Sequence, residues 1–325
     1  MLNRIFKNKY IHLMLFSRII RGFAWSVNSR MKPYPECIKC IIDVRLNEIL
    51  SLKLDYNRSI KHMLELLKVI REEFIKNGEL TIIATEIFKK LQYMVPEIKE
   101  YYANIRKKSI DEALRSIDTF RKLLEKYNDY KRFRIATMIS IAGNLLDTGV
   151  SGHRPPDMLD TNQILSSRFS IDHTKEIYDL VRKGKLNILW LFDNAGEAIY
   201  DTLLIEILRE LGNNVVGVVK DDPGFQNDIT LSDAYYAGLD KLVDNLISTG
   251  YSGSSIHLEY VSERFKYELE RSDLVFAKGM AHFEYLHTVR IGKPKVFLLI
   301  PKCNVLARVI GVGRGSFVAI LDREK

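Results

Sequence analysis

Residues 186–192 read Leu-Asn-Ile-Leu-Trp-Leu-Phe, a short and almost wholly apolar stretch. A strand that is apolar on both of its alternating faces has to be covered on both sides, as the central strands of a parallel sheet are. The stretch stops at Asp193-Asn194-Ala195-Gly196-Glu197. It passes at once into a helical pattern, with Ile199, Leu203, Ile207 and Leu208 on one face and Leu211-Gly212 as a stop. The alternation recurs to the end of the chain, with candidate strands at 186–192, 214–220, 241–247, 273–277, 295–300 and 316–321. Strands alternating with helices imply a mainly parallel sheet in a three-layer α/β/α arrangement.

The first half of the chain has a different period. Met63, Leu64, Leu67, Ile70 and Phe74 fall at helical spacing, as do Ile110, Ala113, Leu114, Ile117, Phe120, Leu123, Leu124 and Tyr127. Gly149, Gly152, Pro155 and Pro156 then break the pattern. The expected fold class is therefore α/β: a helical N-terminal domain over 31–180 and an α/β/α domain over 181–325 that carries the site.

Ligands of open α/β sheets bind just outside the carboxyl ends of the strands, which directs attention to what stands there. After the strand at 186–192 come Asp193 and Asn194. After the next come Asn227 and Asp228, 35 residues beyond Asp193 and so about one strand–helix repeat away. Successive strand ends often lie side by side. Asp193, Asn194 and Asp228 would then offer three oxygens to a hard divalent cation with open positions, such as Mg²⁺ or Mn²⁺. The competing reading is that Asn227 or Asp228 only caps a helix. Lys278 follows the strand at 273–277, either as a point charge for a phosphate oxygen or as an ordinary lysine before a glycine turn. His282 reads as a ligand, an acid/base or a satisfied polar residue. Gly143 sits inside a helical pattern, where it permits close backbone approach and turns Asn144 and Asp147 to the cleft, or simply ends the helix.

Charge and cysteines limit the function classes. Six of the eight net positive charges lie in residues 1–30, which hold Arg4, Lys7, Lys9, Arg18, Arg21 and Arg30 and no acid. The rest of the chain is nearly balanced and shows no basic stripe, so nucleic acid is not an expected partner. The basic segment reads as an amphipathic surface or targeting element, as a first helix, or as an extension upstream of a natural start at Met31. No apolar run reaches the length of a membrane span. The three cysteines Cys37, Cys40 and Cys303 do not make a secreted disulfide framework, which favours a reducing, cytoplasmic setting. Cys37 and Cys40 have the spacing of half a zinc site or of a redox pair, with Cys303 the third thiol; packing is the alternative. Gly311, Gly313 and Gly315 lack the lysine of a phosphate loop and read as turns.

Together these stretches resemble the metal-dependent damage-control phosphatases, long called domain of unknown function 89, from about Met31 to near the C-terminus. The markers are Pro35-Glu36-Cys37 with Cys40, Gly143-Asn144 with Asp147, Asp193-Asn194-Ala195-Gly196-Glu197, Asn227-Asp228-Ile229-Thr230 with Asp233-Ala234, Lys278-Gly279, and Lys302-Cys303. The early cysteine pair looks like the microbial branch. The resemblance implies a helical domain beside a Rossmann-like domain. It also implies hydrolysis of small phosphorylated metabolites, such as sugar phosphates or damaged phospho-metabolites, with Mn²⁺, Mg²⁺, Co²⁺ or Ni²⁺. By motif position Asp193, Asn194 and Asp228 would bind the metal, Lys278 would contact phosphate and Glu197 would line the site. Asp193 or Asp228 would act on the attacking water. Asn144 and His282 join the expected substrate contacts. The family usually has asparagine where this chain has His282, a departure that bears on activity. A non-catalytic binder of phosphorylated metabolites, or a thiol redox protein using Cys37 and Cys40, are the rival readings. The sequence says nothing of oligomeric state.

Overall fold

The structure is a computed structural model that describes residues 31–147, 149–156 and 158–324; the basic segment 1–30 lies outside the described residues. Among the described residues four helices come first, α1 (Pro35–Ser51), α2 (Tyr56–Lys76), α3 (Leu80–Met94) and the 28-residue α4 (Glu97–Leu124), then α5 (Asp129–Gly143). Local chemistry sets several starts. Pro35 occupies the first turn of α1, where its missing N–H costs nothing, and the Asp55 side chain accepts from Arg58 N to cap α2. The remainder runs α6 (Thr161–Ser166), β1 (Phe169–Asp172), α7 (Thr174–Val181), β2 (Asn187–Leu191), α8 (Ala195–Glu210), β3 (Asn214–Val219), α9 (Leu231–Tyr236), β4 (Asn245–Ser248), α10 (Glu263–Arg271), β5 (Leu274–Lys278), α11 (Gly279–Leu286), β6 (Lys295–Leu299), α12 (Asn304–Ile310) and β7 (Phe317–Asp322).

Among the described residues seven strands form one sheet in the order β1-β7-β6-β5-β2-β3-β4. All neighbours are parallel except β6 and β7. The mainly parallel three-layer arrangement is thus present. Two features were not legible: the edge strand β1, only four residues long, and the reversal at β7. The strand expected at 241–247 also began too early, because residues 239–241 form a 3₁₀ turn before β4.

β2 is buried on both faces as its composition requires. Trp190 and Phe192 point into one core cluster, and Leu189 and Leu191 into the other. Trp190 stacks on Phe276 of β5, with ring centroids 4.8 Å apart. One face is covered by α4, α5, α7 and α8, and the opposite face by α10, α11 and α12. A third apolar cluster lies among α1, α2, α3 and the start of α4. Helix α4 joins the two regions. Its first turns, through Ile98 and Tyr102, belong to the helical cluster, and its later residues, from Ile110 to Leu124, pack in the sheet's core. Residues on both sides of the boundary expected near 180 therefore share one apolar core. Among the described residues, no helix is long and apolar enough to cross a membrane.

Strand order fixes where a ligand can sit. After β2 the chain pairs β3 on one side, and later returns to pair β5 on the other. The connections leave in opposite directions there, opening a crevice at the carboxyl ends of β2 and β5. Asp193 and Gly279 stand at that crevice. Ile139 on α5 is fully buried in the core beneath it. Its replacement by alanine is expected to lower stability by about 2–5 kcal/mol, read as a lower denaturant midpoint at unchanged slope.

Candidate active site

The loops after β2 and β3 are tied together by their backbones. Ile229 N donates to Asp193 O at 2.9 Å, Ala195 N donates to Asn227 O at 2.9 Å, and Asn194 and Asp228 form an antiparallel bridge. Asp193, Asn194 and Asp228 are brought to one wall, and all three line a cavity of about 410 Å³. Asp228 is not a helix cap. Thr230 takes that role for α9, with its side chain on Asp233 N and the Asp233 carboxylate returning to Thr230 N. Gly279 supplies the room. Its φ is +75°, and a Cβ there would lie 1.8 Å from Asp193 Oδ2. Only a residue without a side chain lets the start of α11 pass so near the carboxylate.

Behind that wall lies a buried polar network. Asn144 and Asn194 each donate an amide N–H to Asp193 Oδ2, at 3.2 and 2.9 Å, and another to Glu197 Oε2, at 2.9 and 2.7 Å. Gly143 gives Asn144 its place, since a Cβ on it would meet Glu197 Cγ at 3.1 Å. Close approach, rather than a helix end alone, is what that glycine permits. Lys278 Nζ lies 2.7 Å from Glu197 Oε1 and 3.0 Å from Asp201 Oδ1, and donates to Ser140 O at 2.8 Å. The resemblance implies a phosphate contact for Lys278; in this structure the residue is fully buried beneath α8, where two carboxylates neutralise it. Burial works against its charge, but Asp201 and Glu197 outweigh that and raise its pKa. Of the four residues expected to contact substrate, Lys278, Glu197, Asn144 and His282, none lines the cavity.

His282 is held by the strand end itself. Its Nε2 is 3.2 Å from Phe192 O, and its Nδ1 is 3.1 Å from Ser255 Oγ. A carbonyl can only accept, so Nε2 carries the proton. Burial, then the Lys220 charge, push its pKa well below the ordinary histidine value. The ring is neutral, Nδ1 accepts from Ser255, and His282 steadies the residue before Asp193.

The carboxylates are electrostatically uncomfortable. Burial, then the charges of Asp228 and Glu197, push Asp193 well above the usual carboxylate range. Burial raises Asp228 to about 7 against the pull of Lys220, whose Nζ is 3.6 Å from Asp228 Oδ2. Two basic residues near this wall were missed in the sequence. Lys220 directly follows β3, and in the sequence it reads as part of an apolar strand. Lys302 lines the cavity and pairs with Asp147 at 2.6 Å. Its place in Lys302-Cys303 marked the motif without revealing its direction.

Cys37, Cys40 and Cys303 also line the cavity, and all three are free thiols. Burial pushes Cys37 to about 11 and raises the other two. They are protonated, and a thiol is a poor nucleophile and ligand in that form. Among the described residues, no group of three or more His, Cys, Asp or Glu side chains is arranged to hold a metal. The Asp193, Asn194 and Asp228 set, two carboxylates and an amide, is a different kind of donor group.

Residues 34–318 match the family model described as the damage-control phosphatase ARMT1-like domain. The chain belongs to the damage-control phosphatase family. It is 30% identical to a damage-control phosphatase of Archaeoglobus fulgidus, over 89% of this chain and 99% of that one. It is 30% identical to a damage-control phosphatase of Pyrococcus horikoshii, over 91% and 100%. An uncharacterized protein of Methanocaldococcus jannaschii is 32% identical, over 89% and 95%. The crystal structure of a DUF89 family protein from Pyrococcus horikoshii superposes with a TM-score of 0.78 at 29% identity, covering 91% of this chain and all of that one. In this damage-control phosphatase fold the tightest steric constraint is Gly279. Gly279→Ala is expected to cost at least about 1–2 kcal/mol for the left-handed backbone alone, and more for the displaced Asp193 carboxylate. Chemical denaturation with a folded far-ultraviolet spectrum at the start checks it.

Proposed function

We propose that this chain is a divalent-metal-dependent phosphatase that hydrolyses small phosphorylated metabolites, with Asp193, Asn194 and Asp228 as the metal-binding residues. The observation that carries the reading is the pair of buried carboxylates at the cavity wall. Two like charges are held together where water is scarce, and Asp228 Oδ2 accepts no hydrogen bond. A divalent cation there would relieve the crowding of negative charge that Lys220, 3.6 Å from Asp228 Oδ2, only partly offsets, and hard oxygen donors suit Mg²⁺ or Mn²⁺, with Co²⁺ and Ni²⁺ as alternatives to test.

Bound at these residues, the cation would act as a Lewis acid on a phosphoryl oxygen and lower the pKa of water. The protein's own groups do the rest. Asn144, Asn194 and Glu197 fix the rotamer of Asp193, so that no rearrangement is needed when substrate arrives. Lys302, at the cavity, offsets negative charge beside Asp193, and Asp147 orients its ammonium group. Lys278 Nζ, 2.7 Å from Glu197 Oε1, aligns that carboxylate from below. Asp193 or Asp228 accepts a hydrogen bond from the attacking water and takes its proton as the phosphorus–oxygen bond to the leaving alcohol breaks. The products are the free alcohol and inorganic phosphate.

Asp193→Ala is expected to reduce Mn²⁺-stimulated phosphate release from a panel of phosphomonoesters by at least about a thousand-fold, with the fold retained. Unchanged turnover would sink the assignment. Tight binding of the panel without any phosphate release would favour a non-catalytic binder.

The pH dependence has a definite sign. Both aspartates have folded pKa values above the ordinary value of 3.8, Asp228 at about 7. Between those limits the folded state holds protons that the unfolded chain has released, so without a cation their contribution to stability falls as pH rises. A cation competes with the same protons, so its stabilisation grows over that window. The rise in melting temperature on adding Mn²⁺ is expected to be clearly larger at pH 8 than at pH 5.5. An equal rise at both would argue against these ligands.

A further inference from the structure

Among the described residues five carboxyl groups line the cavity, and four of them are engaged within the protein. Glu36 pairs with Arg308 at 2.6 Å, and Asp147 with Lys302 at 2.6 Å. Asp228 lies 3.6 Å from Lys220, and Asp193 accepts from Asn144 and Asn194. The fifth, Glu284, has no hydrogen-bond or ion-pair partner among the described residues. The amide of Asn304 also reaches the cavity without a partner, but that residue is exposed and bulk water serves it. Glu284 is partly buried, and its surroundings are poor in donors. The Cys37, Cys40 and Cys303 thiols stand near enough for its charge to raise the pKa of each, and a thiol is a weak donor. Burial pushes Glu284 itself up to about 7, against the pull of Lys302. A carboxyl group drawn out of bulk water without a partner is destabilising. No contact among the described residues offsets that, whereas a hydroxyl group on a ligand does.

The helix places Glu284 at a definite distance from the proposed metal residues. Gly279, at the start of α11, abuts the Asp193 carboxylate, and Met280, Ala281 and Glu284 line the cavity from the same helix. Met280 and Glu284, four residues apart, are neighbours on one face. The rise from Gly279 to Glu284 is about 7.5 Å, and the side chain leans back toward the helix start. Lys302 acts on both ends of this stretch, lowering the pKa of Asp193 and that of Glu284. The cavity volume of about 410 Å³ lies within the range of sites that enclose whole small ligands.

Resting on the phosphatase reading above, we propose that Glu284 is a substrate-recognition residue, whose carboxyl group hydrogen-bonds a hydroxyl of the leaving alcohol while the phosphate faces Asp193 and Asp228. The group it selects is a hydroxyl about four carbons from the ester oxygen, the reach that the helix sets. A protonated carboxyl can donate to that hydroxyl and an ionised one can accept from it. An ester without the hydroxyl displaces water from Glu284 and gives nothing back, which is how a polar site rejects a ligand that lacks the matching group.

The test compares 4-hydroxybutyl phosphate with butyl phosphate, which differ only in the terminal hydroxyl, on the full chain with Mn²⁺. It runs beside calorimetric binding of 5-hydroxypentylphosphonate and pentylphosphonate, which cannot be hydrolysed. A kcat/KM at least about ten-fold higher for the hydroxylated ester is expected, with the hydroxylated phosphonate bound at least about ten-fold tighter. In Glu284→Leu both preferences are expected to fall below about two-fold. Glu284→Met, of similar size, is measured in parallel in case the leucine variant fails to fold. Absence of a preference in the unaltered chain, or a preference that survives in a folded Glu284 variant, overturns the proposal. If the phosphonates show the Glu284-dependent preference and neither ester is hydrolysed, the recognition role stands and the phosphatase reading fails.

Discussion

Glu197 holds the site together. It is fully buried in the first turn of α8. One of its oxygens faces Lys278, and the other accepts from Asn144 and Asn194. Those two amides reach Asp193, so one carboxylate fixes the residue on which the proposed chemistry depends. Removing one member of a buried ion pair leaves the other uncompensated, typically at about 3–5 kcal/mol. The arrangement is therefore rigid by necessity. Lys278 does not need to touch substrate to matter: without its charge Glu197 would be an isolated anion deep in the protein, and the amides would lose their common acceptor.

That network is possible only because three backbones come unusually close. The end of α5 approaches α8 at Gly143, the start of α11 approaches Asp193 at Gly279, and the loops after β2 and β3 are stitched by Ile229 N and Ala195 N. The three segments arise at the reversal of strand order between β2 and β5, where connections diverge and leave space. Fold and site are one problem here. The sheet supplies the crevice, and the absent side chains let polar groups fill its floor instead of apolar ones.

Much of this was legible in the sequence, for reasons that differ by element. The strand at β2 and the helix after it were readable because burial on both faces leaves an unmistakable apolar run. Asp193, Asn194 and Asp228 were readable because strand ends have a known place in a parallel sheet. The antiparallel turn at β7 and the short β1 were not, because pairing direction depends on where a distant connection lands. Directions of long side chains were not legible for a similar reason. Lys278 at the end of a strand has two faces to choose between, and the choice was made by Asp201 and Ser140, which lie on α8 and α5. Lys220 looked like the last residue of an apolar strand, and only the fold brings it to Asp228. The cysteines had the spacing of a reactive pair, but reactivity depends on solvation, and the fold buries them.

Holding Asp193 and Asp228 in the core opposes folding, since burial pushes both pKa values up and neighbouring carboxylates add to it, Asp228 and Glu197 for Asp193, Asp147 and Glu197 for Asp228. The compensation is spread widely. Lys220 stands at 3.6 Å from one, two amides bind the other, and large apolar clusters cover both faces of the sheet. None of these cancels the repulsion; they make it affordable. A site tuned for stability alone would replace one carboxylate by an amide or an apolar residue. Keeping both leaves a place where positive charge is more welcome than elsewhere in the core, and a pair of that kind is what a cation-dependent reaction at a phosphate ester requires. The strain is local, it is anchored by Glu197, and it faces the cavity that Asp193 and Asp228 both line.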